Sequence, residues 1–210
     1  MGTPQEYLNR TKSAVTHIFN GIDAYLQVLR NHRPPVLVGT YSSEADHAAA
    51  VDQWMKEKAE DIQKGLSAER AFLAEKYALA ALCGSLLQIA SMALRLYSKH
   101  DQVPAELSEF VKAGHAPYCI GRRVRGVPLG LVILAGRNQY NHIDDDGLRD
   151  PNVTVFEWLA TKHAYGAGVR DPGFDLRAGL VWNYPSNITS LIGWRSYEVY
   201  DSDMRSLLGT

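Results

Sequence analysis

The chain has 210 residues, of which 46% are hydrophobic and 21% charged, and its formal net charge is −1. This composition is that of an ordinary globular protein and excludes a largely disordered chain. Because the net charge is close to zero, the whole surface cannot attract nucleic acid, and any RNA contact would need a local basic patch.

The N-terminal half predicts three helices. Apolar residues recur at spacings of three and four from residue 3 onward, and Pro34-Pro35 would stop this first helix. A serine cap at residues 42–43 predicts a second helix to about residue 64, ended by Gly65. A third helix is expected over residues 67–99, with Ser67 as its cap and the most apolar pattern of the chain.

The C-terminal half predicts shorter helices separated by turns. Residues 116–130 hold prolines and glycines and predict a loop, and residues 166–187 lack regular periodicity. Alternation typical of a strand occurs only near residues 36–41. Helical segments are predicted at Val103–Ala113, from Leu131 to near Asp144–Gly147, at Val153–Tyr165 and at Ile188–Leu208. We therefore expect an all-α fold, a bundle of about five to seven helices with an irregular, aromatic-rich C-terminal segment.

Small residues follow one another along the third predicted helix. They are Ala74, Ala78, Ala81, Gly84 and Ser85. Their short side chains would allow another helix to approach closely, as in the core of a helical bundle.

One hexapeptide combines groups suited to catalysis: Arg137-Asn138-Gln139-Tyr140-Asn141-His142. On a helix, residues four apart lie on the same side, so Asn138 would stack with His142. Residues five apart differ by roughly 140° in direction. The long side chain of Arg137 would therefore have to bend towards His142 for both to serve one site.

These residue types fit cleavage of RNA without a metal ion. Histidine can accept or donate a proton near neutral pH, because its unperturbed pKa is about 6.5. Arginine stays charged and binds phosphate oxygens through two donors, so Arg137 would stabilise the charge that builds on phosphorus. The reaction needs a base, a cation and an acid, and two groups do not fill three roles.

An arginine, a polar residue, three further residues and a histidine resemble the signature of the HEPN superfamily. The resemblance covers at most residues 70–166 and implies one HEPN-like helical domain, with N-terminal helices over 1–66, a motif-bearing core over 67–166 and an extension over 167–210. It implies a metal-independent endoribonuclease, without cofactor, in which Arg137 and His142 are catalytic and Asn138 orients His142 or binds phosphate.

The same resemblance implies partners. Two copies of the motif would meet in a homodimer, and the products would be a 2′,3′-cyclic phosphate and a 5′-hydroxyl. Family members often act as toxins, in defence against phage or in RNA processing, and some are silenced by an antitoxin protein. An RNA-binding role is also open to Arg122, Arg123 and Arg125, which form one basic patch ahead of the motif.

Other readings of the sequence stay open. A non-catalytic helical bundle could use the aromatic C-terminal region as a contact or ligand-binding surface, although aromatic residues usually pack in cores. Those residues are Trp158, Trp182, Tyr184, Trp194, Tyr197 and Tyr200. A metal-dependent hydrolase would need His142, His163 and His115 near Asp144 and Asp146, but no metal-binding motif is present. The acidic run 144–146 also fits a solvated turn.

Cys83 and Cys119 have no CxxC partner and no spacing typical of metal ligands. We interpret both as reduced thiols of a cytoplasmic protein. The N-terminus has no basic segment followed by an apolar core, and polar residues interrupt the longest apolar stretches. We therefore expect neither export nor a membrane span.

Overall fold

Helices form nearly all of the regular structure. The computed structural model describes residues 2–30, 35–142, 148–164, 166, 168–177 and 184–210. Within these ranges the α-helices are α1 (Pro4–Arg30), α2 (Glu44–Glu57), α3 (Ala59–Ala74), α4 (Lys76–Tyr97), α5 (Leu129–Asn141), α6 (Asn152–Thr161), α7 (Tyr184–Leu191) and α8 (Tyr197–Leu208). The predicted all-α class is confirmed.

Two short 3-10 helices and one small hairpin complete the regular elements of the described ranges. The 3-10 helices are Ala105–Leu107 and Ala113–Tyr118. Strands β1 (Arg123–Val124) and β2 (Val127–Pro128) pair antiparallel, with Val124 opposite Val127. Arg125 and Gly126 between them both have positive φ, as a tight two-residue hairpin turn requires.

The chain divides into two compact units. The first comprises Met1–Gly21 and Tyr77–Thr210, and the second comprises Ile22–Lys76. These bounds differ from the predicted subdivision at 66/67 and 166/167. Residues 184–210, expected to form an extension, belong to the first unit.

The core of the first unit forms around α5. All residues from Leu129 to Gly136 are buried, and α5 packs against α6, α7 and the hairpin. A β-carbon on Gly84 of α4 would lie 2.5 Å from the ring of Tyr140, so the absence of a side chain at Gly84 makes room for this residue of α5. The structure thus shows one small residue of α4 that accommodates a side chain of α5, and a close approach of helices along the whole run of small residues stays a prediction.

In the second unit α2 and α3 contact each other. Ser43 caps α2 as predicted, because its Oγ accepts a hydrogen bond from the backbone N–H of Asp46 at 3.1 Å. The predicted helix end at Gly65 and cap at Ser67 are wrong. Both residues lie inside α3, and Gly65 is buried there, where packing outweighs its helix penalty of about 1 kcal/mol.

Three further predictions differ from the structure. Residues 36–41 form no strand, and Val36 and Val38 are exposed. The helix expected over 103–113 is reduced to the 3-10 turn at Ala105–Leu107. The last predicted helix is two helices, α7 and α8, because Gly193 adopts φ 78° between them. Apolar periodicity continued across this break, so the pattern did not reveal it.

One helix of the described residues, α4, is long and apolar enough to cross a membrane by length and composition alone. It has 22 residues, and the mean hydropathy of its most apolar window is 1.7. Half of that window is buried inside the protein, and core helices of soluble proteins meet the same criterion.

Candidate functional site

Helix α5 carries the hexapeptide at its C-terminal end. The buried segment Leu129–Gly136 fixes this helix in the core, and residues 137–140 are half-buried. The helix ends at Asn141, earlier than the predicted end near residues 144–147, which lies outside the described part of the chain. His142 is the exposed C-cap, and its backbone N–H bonds to the carbonyl of Asn138 at 3.0 Å.

The Arg137 side chain is held by two amide oxygens. Its Nε–H donates to Oε1 of Gln88 on α4 at 2.7 Å, and Nη1 donates to Oδ1 of Asn138 at 2.8 Å. Asn141 also donates from Nδ2 to Oε1 of Gln88, at 3.3 Å. The guanidinium therefore lies between Gln88 of α4 and Asn138 of α5, and a site that it shares with His142 stays a prediction.

Asn138 is in turn fixed by α6. Its Nδ2 donates to Oδ1 of Asn152 at 3.1 Å, and Asn152, the first residue of α6, is 8% exposed. A guanidinium can only donate hydrogen bonds, so the oxygen of Asn138 must face Arg137 and its NH₂ group must face Asn152. Three helices thus determine where the Arg137 side chain lies.

Arg137 differs in its partners from other half-buried arginines. Three others bind a carboxylate: Arg125 with Asp171 at 2.7 Å, Arg170 with Asp175 at 2.9 Å, and Arg205 with Asp201 at 2.6 Å. Arg137 pairs with no carboxylate of the described residues. Among the described residues, neutral groups thus hold this guanidinium, and no carboxylate there offsets its charge.

Sequence reasoning missed Gln88 and Asn152. Gln88 is a polar residue within the apolar pattern of α4, and this interruption was the one signal that could have marked it. Asn152 directly precedes the helix predicted from Val153, and asparagine is common at such a capping position, so the sequence did not mark it. Tyr140, to which the motif gives no role, packs against Gly84.

The predicted RNA-binding arginines all lie on or beside the hairpin. Each makes contacts within the chain. Arg122 binds Asp203 at 3.0 Å, Arg123 binds Glu106 at 2.6 Å, and Arg125 binds Asp171 and the carbonyl oxygen of Leu159. Carboxylates thus offset the charge of this patch, and RNA would have to compete with them. Binding of RNA here stays a prediction.

The aromatic residues of the C-terminal region are largely core residues. Tyr184, Trp194 and Tyr200 are at most 7% exposed. Tyr184 meets Phe156 at 5.0 Å between ring centres, and Trp194 meets Tyr200 at 4.9 Å. Trp182 lies outside the described residues, and Trp158 and Tyr197 are half-buried. The packing that we expected is confirmed for three of these residues, which removes them from a contact surface.

No three His, Cys, Asp or Glu side chains of the described residues come close enough to hold a metal ion. The carboxylates of Asp144 and Asp146, which the metal reading required, lie outside this part of the chain. His163 lies just beyond the end of α6 and is half-buried. Burial, with a smaller effect from Lys112, lowers the pKa of His115.

In comparisons with known proteins, no family model matches the chain, and no curated protein and no solved structure matches it. The candidate site consequently rests on its own residues, namely Arg137, Asn138 and His142 on α5 with Gln88 and Asn152 as their neighbours.

Proposed function

We propose that this protein is a metal-independent endoribonuclease in which Arg137 binds the scissile phosphate, His142 transfers protons and Asn138 orients the arginine. One observation supports the proposal most directly. The half-buried Arg137 guanidinium is fixed by two amide oxygens and pairs with no described carboxylate. A fixed guanidinium that no described carboxylate neutralises is suited to binding the negative charge of a phosphodiester.

The donor geometry supports phosphate as the anion. A guanidinium has five N–H donors. Two of them are used by Gln88 and Asn138, and the other three have no partner among the described residues, so they can bind phosphate oxygens. Arginine recognises phosphate through paired donors of this kind, which a lysine ammonium cannot reproduce.

In the proposed reaction the ribose 2′-oxygen attacks phosphorus and the bond from phosphorus to the 5′-oxygen breaks. A base takes the proton of the 2′-hydroxyl, and an acid gives a proton to the departing 5′-oxygen. The products are a 2′,3′-cyclic phosphate and a 5′-hydroxyl end. His142, exposed at the end of α5, supplies one of these proton transfers.

The second proton transfer is assigned to a second copy of the chain. In a homodimer with two motifs at one cleft, the partner subunit's motif would fill the remaining role. A cytoplasmic location, a role as toxin or defence effector, and silencing by an antitoxin complete the proposal. These parts rest on the resemblance of the hexapeptide and on the unpaired cysteines.

The test is cleavage of total RNA by purified protein, with analysis of the product ends. Arg137→Ala should lower the rate by about 10²–10³-fold through loss of transition-state charge stabilisation. His142→Ala should lower it by about 10²–10⁴-fold through loss of proton transfer. Arg10→Ala and His17→Ala, which change exposed residues of α1, are the matched controls and should cleave like wild type.

EDTA should leave the rate unchanged, and the products should carry cyclic phosphate ends. Equal cleavage by wild type, Arg137→Ala and His142→Ala would refute the assignment. Loss of activity on chelation would instead favour the metal-dependent hydrolase.

A further inference from the structure

Gln88 of α4 lies 49 positions from Arg137 in the chain and yet holds its guanidinium at 2.7 Å. Gln88 is half-buried in an otherwise largely apolar helix whose neighbouring residues Leu86 and Leu87 are fully buried. A polar side chain in such surroundings is costly unless it is hydrogen-bonded. Its contacts with α5 therefore account for its placement.

The orientation of the Gln88 amide follows from its partners. Arg137 and Asn141 both donate to Oε1, at 2.7 and 3.3 Å, so this oxygen uses both of its lone pairs. The Nε2 group, with two further donors, is left on the other side of the amide. Gln88 can thus hold the cation and add donors of its own, whereas a carboxylate at this position could only accept.

The charge of the side chain that accepts the hydrogen bond from the guanidinium matters as much as the position of that side chain. In Arg125, Arg170 and Arg205 the guanidinium is fixed by a carboxylate, which offsets its charge. Gln88 has nearly the same shape as glutamate but carries no charge. It fixes the guanidinium and leaves the positive potential undiminished.

We propose that Gln88 is a positioning residue of this site. It holds Arg137 from α4 without neutralising it, so that the N–H groups without a partner among the described residues receive the oxygens of a phosphate group. This inference rests on the proposed function, since it concerns the same arginine. It adds to the site a residue from outside the hexapeptide. It also attributes the binding of phosphate by Arg137 to a hydrogen bond with an uncharged side chain, that of Gln88.

Gln88→Glu tests the inference with almost no change of shape. The probe is a fluorescent RNA oligonucleotide with 2′-O-methyl riboses, which lacks the attacking hydroxyl and reports binding alone. We expect Gln88→Glu to weaken its binding by at least about tenfold, comparably to Arg137→Ala, because the new carboxylate pairs with the guanidinium. The melting temperature should not fall. Gln102→Glu, at an exposed residue, adds the same charge and should bind within about twofold of wild type.

Gln88→Met serves as a second variant, because it keeps the volume and removes the hydrogen-bond acceptor. It should also weaken binding, and it decides the question if Gln88→Glu does not fold. Inorganic phosphate, tested as a competitor, should displace the oligonucleotide from wild type.

The outcomes separate this inference from the nuclease proposal. Wild type that binds the probe but cleaves no RNA, together with weak binding by Gln88→Glu, would support the role of Gln88 and refute the nuclease. Unchanged binding by Gln88→Glu and Gln88→Met would overturn the role of Gln88 while leaving the nuclease intact. Wild type that binds neither the probe nor phosphate would overturn both.

Discussion

Gly84→Ala should destabilise the protein even though alanine is the better helix former. Gly84 lies in α4, and a β-carbon there would lie 2.5 Å from Cγ and Cδ1 of Tyr140 and 2.8 Å from Cδ2. These distances are far below van der Waals contact, so the aromatic ring or the helix that carries it would have to move. Tyr140 lies within the hexapeptide, so this displacement would reach α5 next to Arg137.

The magnitude follows from two opposing effects. Replacing glycine by alanine in a helix stabilises by about 1 kcal/mol. Overpacking at a well-packed contact costs about 1–3 kcal/mol. The net change in the free energy of unfolding should be a loss of about 1 kcal/mol, which lowers the melting temperature of a chain this size by roughly 2–4 °C.

A double-mutant cycle measured by urea unfolding isolates the contact. In a Tyr140→Ala background the ring is absent, so Gly84→Ala should now stabilise by about 1 kcal/mol. The sign of the effect of Gly84→Ala thus reverses, and the coupling energy should be about 1–3 kcal/mol. If Gly84→Ala stabilised the protein equally in both backgrounds, α4 and α5 would not be packed at this glycine as described.

Two further predictions concern buried ionisable groups. The guanidinium groups of Arg177 and Arg170 hold the pKa of Asp175, which is 1% exposed, well below its usual range. Asp175→Asn should therefore cost about 1.5–3 kcal/mol at pH 7. A lowered folded-state pKa stabilises in full above the unfolded value of about 3.9, and this stabilisation is lost progressively as the pH falls below that value. In urea unfolding, the difference in free energy of unfolding between wild type and variant should therefore narrow below about pH 4, and an equal difference at pH 3 would contradict this interpretation. Burial raises the pKa of the Cys83 thiol to about 11 and also raises the pKa of Cys119. A thiol reagent at pH 8 should therefore label neither cysteine in the folded protein and both in urea. Rapid labelling of the folded protein would contradict their burial.

Much of the helical architecture could be predicted from local sequence. The cap at Ser43 depends on a side chain and a backbone N–H three residues away, and it was predicted correctly. The helix that carries Arg137 was predicted from the apolar run before it, which is buried as expected. Helix ends were predicted less well. Gly65 continues a helix because it is buried, and Gly193 breaks one through its positive φ, yet the two glycines look alike in sequence.

The sequence alone determined that a cation, an amide and an imidazole share the end of one helix, because these residues are neighbours along the chain. Only the tertiary structure decided what surrounds them. Gln88 and Asn152 reach Arg137 and Asn138 from other helices. In the same way, the carboxylate that pairs with Arg122 belongs to Asp203, far along the chain. Apolar periodicity records which face of a helix is buried but not which side chain of another helix meets it. The partners of each polar group therefore depend on how α4, α5 and α6 pack together.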